Sequence, residues 1–140
     1  MKLKVKEIME VYGSLADAKI TSLGKEERNK VFAILKPIHK VKKEFEEAVE
    51  LVDAKLKPEN WEELVAIEAD IKAGKATLKQ VKAYSAVSIY VSRRAEAIKE
   101  EGNRIIEIDA EPLSVEIVDK IFDENKWSLE KHLNVTPIIA

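Results

Sequence analysis

The stretch Val31-Phe32-Ala33-Ile34-Leu35-Lys36-Pro37-Ile38-His39-Lys40-Val41-Lys42-Lys43-Glu44-Phe45-Glu46-Glu47-Ala48-Val49-Glu50-Leu51-Val52 decides the fold class. Val31, Ile34, Ile38, Val41, Phe45, Ala48 and Val52 recur at alternating spacings of three and four, which lines them along one side of an α-helix as a heptad seam. At the helical rise, residues 25–56 would span about 48 Å. That is longer than a compact body of 140 residues needs, so part of the helix is expected to project or to pack on another chain. Pro37 removes a backbone donor and crowds the preceding turn, which predicts a kink near residues 33–37 or two helices meeting there. The opposite face pairs Lys42 with Glu46 and Lys43 with Glu47, opposite charges four apart, and reads as a solvated surface.

On the N-terminal side, residues 3–22 place Leu3, Ile8, Val11, Tyr12, Leu15 and Ala18 near one face of a helix. Gly13 lies inside that pattern, where it costs about 1 kcal/mol relative to alanine. A close helix contact or a small bend would account for it, with a hinge as the functional alternative. Residues 21–24 read as a connection.

On the C-terminal side, Lys57-Pro58-Glu59 signals a helix entry. Trp61, Leu64, Val65 and Ile71 then point inward, and Gly74 is suited to a left-handed cap. Thr77-Leu78-Lys79-Gln80 is a capping box. The helix it opens, residues 78–101, carries Val81, Tyr84, Val87, Val91, Ala95 and Ile98 as a stripe, widened by Ile89 and Tyr90. Gly102-Asn103 stops it.

Residues 104–109 follow as a short extended segment, in which Ile106 and Ile108 share one face. A lone strand has open edges and must find a partner in this chain or in a neighbour. Ser114 caps a helix to about residue 125 that buries Val115, Val118, Ile121 and Phe122, and a short turn restarts at Trp127-Ser128. The tail, residues 134–140, ends in Ile138 and Ile139 and either frays or docks on the body or on a partner. The expected fold is mainly α: a single domain over 1–140, a helical bundle of about four to six helices with one long heptad-patterned helix and one short extended segment.

The chemistry available is narrow. There is no cysteine, which removes disulfides, thiolate metal sites and cysteine nucleophiles. His39 and His132 stand alone among lysines and aliphatics, at no spacing of a zinc site. Four scattered glycines build no phosphate-cradling loop, and no serine sits in a nucleophile elbow. No pair of carboxylates is marked for acid–base work.

No catalytic residue, metal or cofactor is therefore expected, and the protein is read as not an enzyme. The net charge of -2 gives a weak long-range field, so nucleic acid is not an expected partner. Arg93, Arg94 and Arg104, near Tyr84 and Tyr90, are the residues that could touch it, diluted by Glu96, Glu100 and Glu101. The basic opening residues are not followed by an apolar run, so neither a signal peptide nor a membrane-spanning helix is expected.

The segments LKVKEIMEVYGSLADAKI, VFAILKPIHKVKKEFEEAVEL and RIIEIDAEPLSVEIVDKI resemble, in order and spacing, a family of small helical bacteriophage proteins of unknown function encoded among virion structural genes near the tail and lysis modules. The likeness covers about two-thirds of the chain, and residues 58–74 form a helix additional to that pattern. It implies a structural or assembly role in a phage or prophage, in the host cytoplasm or in the virion, and no catalytic residue.

The reading is thus a non-enzymatic structural or protein-interaction component with other protein chains as partners, copies of itself or phage structural proteins. Its candidate interaction residues are Val31, Ile34, Ile38, Val41, Phe45, Ile106, Ile108, Ile138 and Ile139. The alternative is a small regulatory binder, antitoxin-like or nucleic-acid-binding.

Overall fold

A computed structural model describes residues 1–140. The fold is mainly α, with six helices: α1 (Val5–Leu15), α2 (Lys25–Leu56), α3 (Trp61–Lys72), α4 (Leu78–Asn103), α5 (Val115–Asn125) and α6 (Leu129–Asn134). Two short strands, β1 (Lys2–Lys4) and β2 (Ile105–Glu107), and a 3-10 turn at Thr136–Ile138 complete it. Two compact units can be distinguished within the chain, Met1–Glu46 with Glu101–Ala140, and Glu47–Glu100. The long helices α2 and α4 each contribute residues to both.

The first unit is built on a continuous aliphatic core. Val31, Ile34, Ile38 and Val41 of α2 lie buried in one cluster with Ile8, Val11 and Leu15 of α1 and Ile117, Val118 and Ile121 of α5. Phe45 is half-buried against it. The seam is thus covered by elements of its own chain rather than by a neighbour. α2 also runs unbroken through Pro37. The carbonyl four residues back belongs to Ala33, an exposed residue, where water can take the place of the missing donor.

β1 replaces the expected first helical turn. Alternation of Lys2, Leu3 and Lys4 gives one buried and two exposed side chains, and Leu3 faces Ile106 in an antiparallel pair with β2. Val5 N–H donates to the Arg104 carbonyl at 2.9 Å and Ile108 N–H to the Met1 carbonyl at 2.7 Å, extending the ladder at both ends. The tail docks on its own unit: Leu113 N–H donates to the Ile138 carbonyl and Ala140 N–H to the Leu113 carbonyl, both at 2.7 Å. Ile138 is buried as a result.

The link between α1 and α2 is held by the end of α5. Asn125 accepts from Lys19 N–H at 2.7 Å and donates to the Lys19 carbonyl at 2.8 Å. One Glu124 oxygen accepts from Ser22 N–H at 2.8 Å and from the Thr21 hydroxyl. Ser114 and Ser128 cap α5 and α6 by accepting from Ile117 N–H and Lys131 N–H, and α5 ends on Lys126 in the left-handed region at φ 50°. Val115, expected inside, is exposed, and Ile117 takes the buried position. Gly13 makes no close approach, since a Cβ there would meet nothing within 4 Å.

The second unit comprises α3 with the adjoining parts of α2 and α4. The Thr77–Gln80 box forms in both directions, Thr77 N–H to Gln80 Oε1 at 2.8 Å and Gln80 N–H to Thr77 Oγ1 at 3.2 Å. Gly74 sits at φ 71°, as a left-handed cap requires. Leu64 and Tyr90 are the buried side chains here; Val65, Val81 and Val91 are exposed. The inward stripe of α4 therefore runs through Tyr84, Val87, Tyr90, Arg94 and Ile98 rather than through Val81, Val91 and Ala95.

Candidate interaction surface

In the second unit an aromatic and ionic cluster joins α2, α3 and α4 beside the buried Leu64 and the partly buried Val52, Leu56, Ile67 and Val87. Tyr90 and Arg94, four apart on α4, share a helix face and converge on Asp53 of α2. The Tyr90 hydroxyl donates to Asp53 Oδ1 at 2.6 Å and Arg94 Nε donates to the same oxygen at 2.6 Å. Trp61 of α3 meets the Tyr90 ring edge-on, with centroids 5.2 Å apart at 70°. The Lys57 ammonium lies 5.3 Å from the centre of the Trp61 ring.

The Tyr90 hydroxyl, followed by the Arg94 guanidinium, holds the Asp53 carboxyl below the usual carboxylate range. The same carboxylate pushes the Tyr90 phenol up, first because the hydroxyl must keep its proton to donate to Asp53, and then because burial and the nearby negative charge disfavour the phenolate. Arg94 is raised by its bond to Asp53. Both donors meet on one Asp53 oxygen, so the three side chains tie α4 to α2 as a clamp.

Around that clamp the unit leaves large apolar side chains in solvent: Leu51, Val65, Leu78, Val81, Ile89 and Val91. On α4 the outward line is periodic. Leu78, Lys82, Ser85, Ile89, Ser92 and Glu96 follow at spacings of four, three, four, three and four, and all are exposed. Leu78 is 72% and Ile89 52% exposed, and Val81, 47% exposed, flanks the line. Over the five turns from Leu78 to Glu96 the six seam positions are two aliphatic residues, two serines, one lysine and one glutamate.

The interaction residues expected from sequence fall elsewhere. Val31, Ile34, Ile38 and Val41 are interior, as are Ile108 and Ile138, while Phe45, Ile106 and Ile139 pack partly buried against the same core. None of the nine presents a free apolar face, because α1, α5, β1 and the Leu113 segment already cover them. Of the three arginines, Arg94 is bound to Asp53 and Arg104 approaches Glu101 at 3.5 Å, while Arg93 is exposed.

His39 is not isolated: its Nδ1 lies 3.2 Å from the Tyr12 hydroxyl, at an open depression of about 340 Å³ also lined by Ala16, Leu35 and Lys36. The Lys42 ammonium sits 5.0 Å from the Tyr12 ring centre, and Glu46 raises its pKa. His132 stacks edge-on against Phe122. No group of three or more histidine, aspartate or glutamate side chains is placed to hold a metal, and no helix is long and apolar enough to cross a membrane.

Sequence reading passed over the Asp53 clamp and the outward line of α4. The signals were the four-residue spacings Asp53/Lys57 and Tyr90/Arg94, each a same-face pair, and the second heptad in 78–96. Comparison with protein-family models, with characterised proteins and with solved structures finds no match to this chain.

Proposed function

We propose that the protein is a non-enzymatic interaction component, in which the first unit is a self-sufficient scaffold and the unit Glu47–Glu100 engages another protein chain. One observation carries this reading. The second unit buries only Leu64 and Tyr90 among its apolar side chains yet exposes six large ones, three of them along one edge of α4. Scattered exposed apolar residues are ordinary, whereas an aligned set on a unit with little core of its own marks a surface that gains by being covered. The clamp of Asp53, Tyr90 and Arg94 would hold the helices in place while that face stays free.

The likeness to phage proteins of the virion gene region directs the search for partners to structural and assembly proteins of a phage particle, in the host cytoplasm or in the virion. The alternative, a small regulatory binder, draws no specific support from the arginines, two of which already face carboxylates. Binding of the purified chain to itself and to the products of neighbouring genes, compared with Leu78→Asp, tests the reading. Association that is lost in Leu78→Asp while helicity is retained is the expected result. A wild-type chain that binds neither itself nor any of those products removes it.

A further inference from the structure

We infer that the outward seam of α4 pairs with the same seam of a second copy, antiparallel, with Ile89 at the two-fold axis. This deepens the reading above and rests on it. The charges of the seam choose the occupant. Lys79 and Lys82 lie toward the N-terminal end of the outward half of α4, and Glu96 and Glu100 toward its C-terminal end. A parallel pair would set like charges against like. An antiparallel pair about Ile89 sets each Lys82 level with Glu96 of the other copy, twice by symmetry.

In the same register Ile89 meets its own copy, and the small side chains Ser85 and Ser92 flank it, which lets the helices approach closely. Arg93 falls level with Ser85 of the other copy, one turn from Lys82, and Lys99 falls level with Lys79 but on the opposite flank, the one that carries Val81 and Ser88, so Lys82 opposite Glu96 is the ion pair that the seam itself makes. Antiparallel alignment also opposes the two helix dipoles favourably. Exposed ion pairs contribute little affinity but do fix register and orientation.

The absence of cysteine makes the test clean. Ile89→Cys places one thiol at the axis, and mild oxidation is expected to give a covalent dimer far faster than Leu51→Cys, a more exposed position of the same unit. Lys82→Glu and Glu96→Lys should each weaken sedimentation-detected association by about tenfold, since each loses two symmetry-related pairs and adds repulsion. The double variant Lys82→Glu/Glu96→Lys should restore it.

Cross-linking of Ile89→Cys no faster than Leu51→Cys overturns the pairing, and so do single charge variants that the double variant does not rescue. A chain that stays monomeric, yet binds a purified neighbouring gene product through Leu78, also defeats self-pairing while leaving the broader interaction reading intact. Failure of every binding measurement removes both.

Discussion

The two units of this chain solve the same problem in opposite ways. Met1–Glu46 with Glu101–Ala140 gathers its branched aliphatic residues from α1, α2, α5, both strands and the tail into one interior. Glu47–Glu100 buries Leu64 and Tyr90, with Tyr90 and Arg94 bonded to Asp53 and Trp61 packed edge-on against Tyr90. Buried aliphatic area stabilises without needing a partner in one geometry, whereas an ion pair with about a third of each side chain in water adds little net stability and mainly fixes orientation. The first unit therefore draws its stability from its own interior, and the second has fewer fully buried aliphatic side chains to draw on.

The sharpest break in that comparison is expected from core truncation. Ile34→Ala or Ile121→Ala should cost about 2–5 kcal/mol, because each leaves a cavity in a fully packed interior. Leu78→Ala, at a 72% exposed position, should change stability by no more than about 0.5 kcal/mol. Chemical denaturation read by circular dichroism checks both, and equal losses would erase the distinction between the units. Leu64→Ala, which removes one of the two buried apolar side chains of the second unit, should cost about 2–4 kcal/mol there. Each unit holds one tryptophan, so single-tryptophan variants separate the two responses: Trp61 should report the loss and Trp127 should not.

Acid sharpens the comparison further. Tyr90 and Arg94 lower the Asp53 pKa in the folded chain, so its contribution is present above the ordinary carboxylate range and fades as pH falls through the lowered value. Trp61 fluorescence of a Trp127→Phe chain should show that acid limb, and Asp53→Asn should remove it. A small gain is expected in the first unit. Lys126→Gly relieves a left-handed backbone that a side chain disfavours and should raise stability by about 0.5–1 kcal/mol in thermal denaturation.

How much of this was legible in the sequence depended on the range of the interaction. Caps were legible residue by residue: Ser114, Gly74 and the Thr77–Gln80 box each act within a few positions, and each stands where its chemistry puts it. The heptad of α2 was legible as a buried face. What buries it was not, because periodicity says that a face is covered and not by which chain, and its covers arrive from Ile8, Ile121 and Ile138. The strand Lys2–Lys4 was lost to the adjacent helical pattern, since three residues carry little signal and its pairing partner lies a hundred positions along. The clamp on Asp53 was hidden for the same reason: Tyr90 counts as apolar and Arg94 as surface until a carboxylate from another helix joins them.

Residue-resolved hydrogen exchange of the wild-type chain at low and at high protein concentration distinguishes an independent scaffold from a unit completed by association. Amides of Ile34, Ile38, Val118 and Ile121 should exchange slowly and identically at both. Amides of residues 61–72 and 78–92 should exchange faster when dilute and gain protection as concentration rises. Uniform protection across both units, unchanged by concentration, would contradict that distinction.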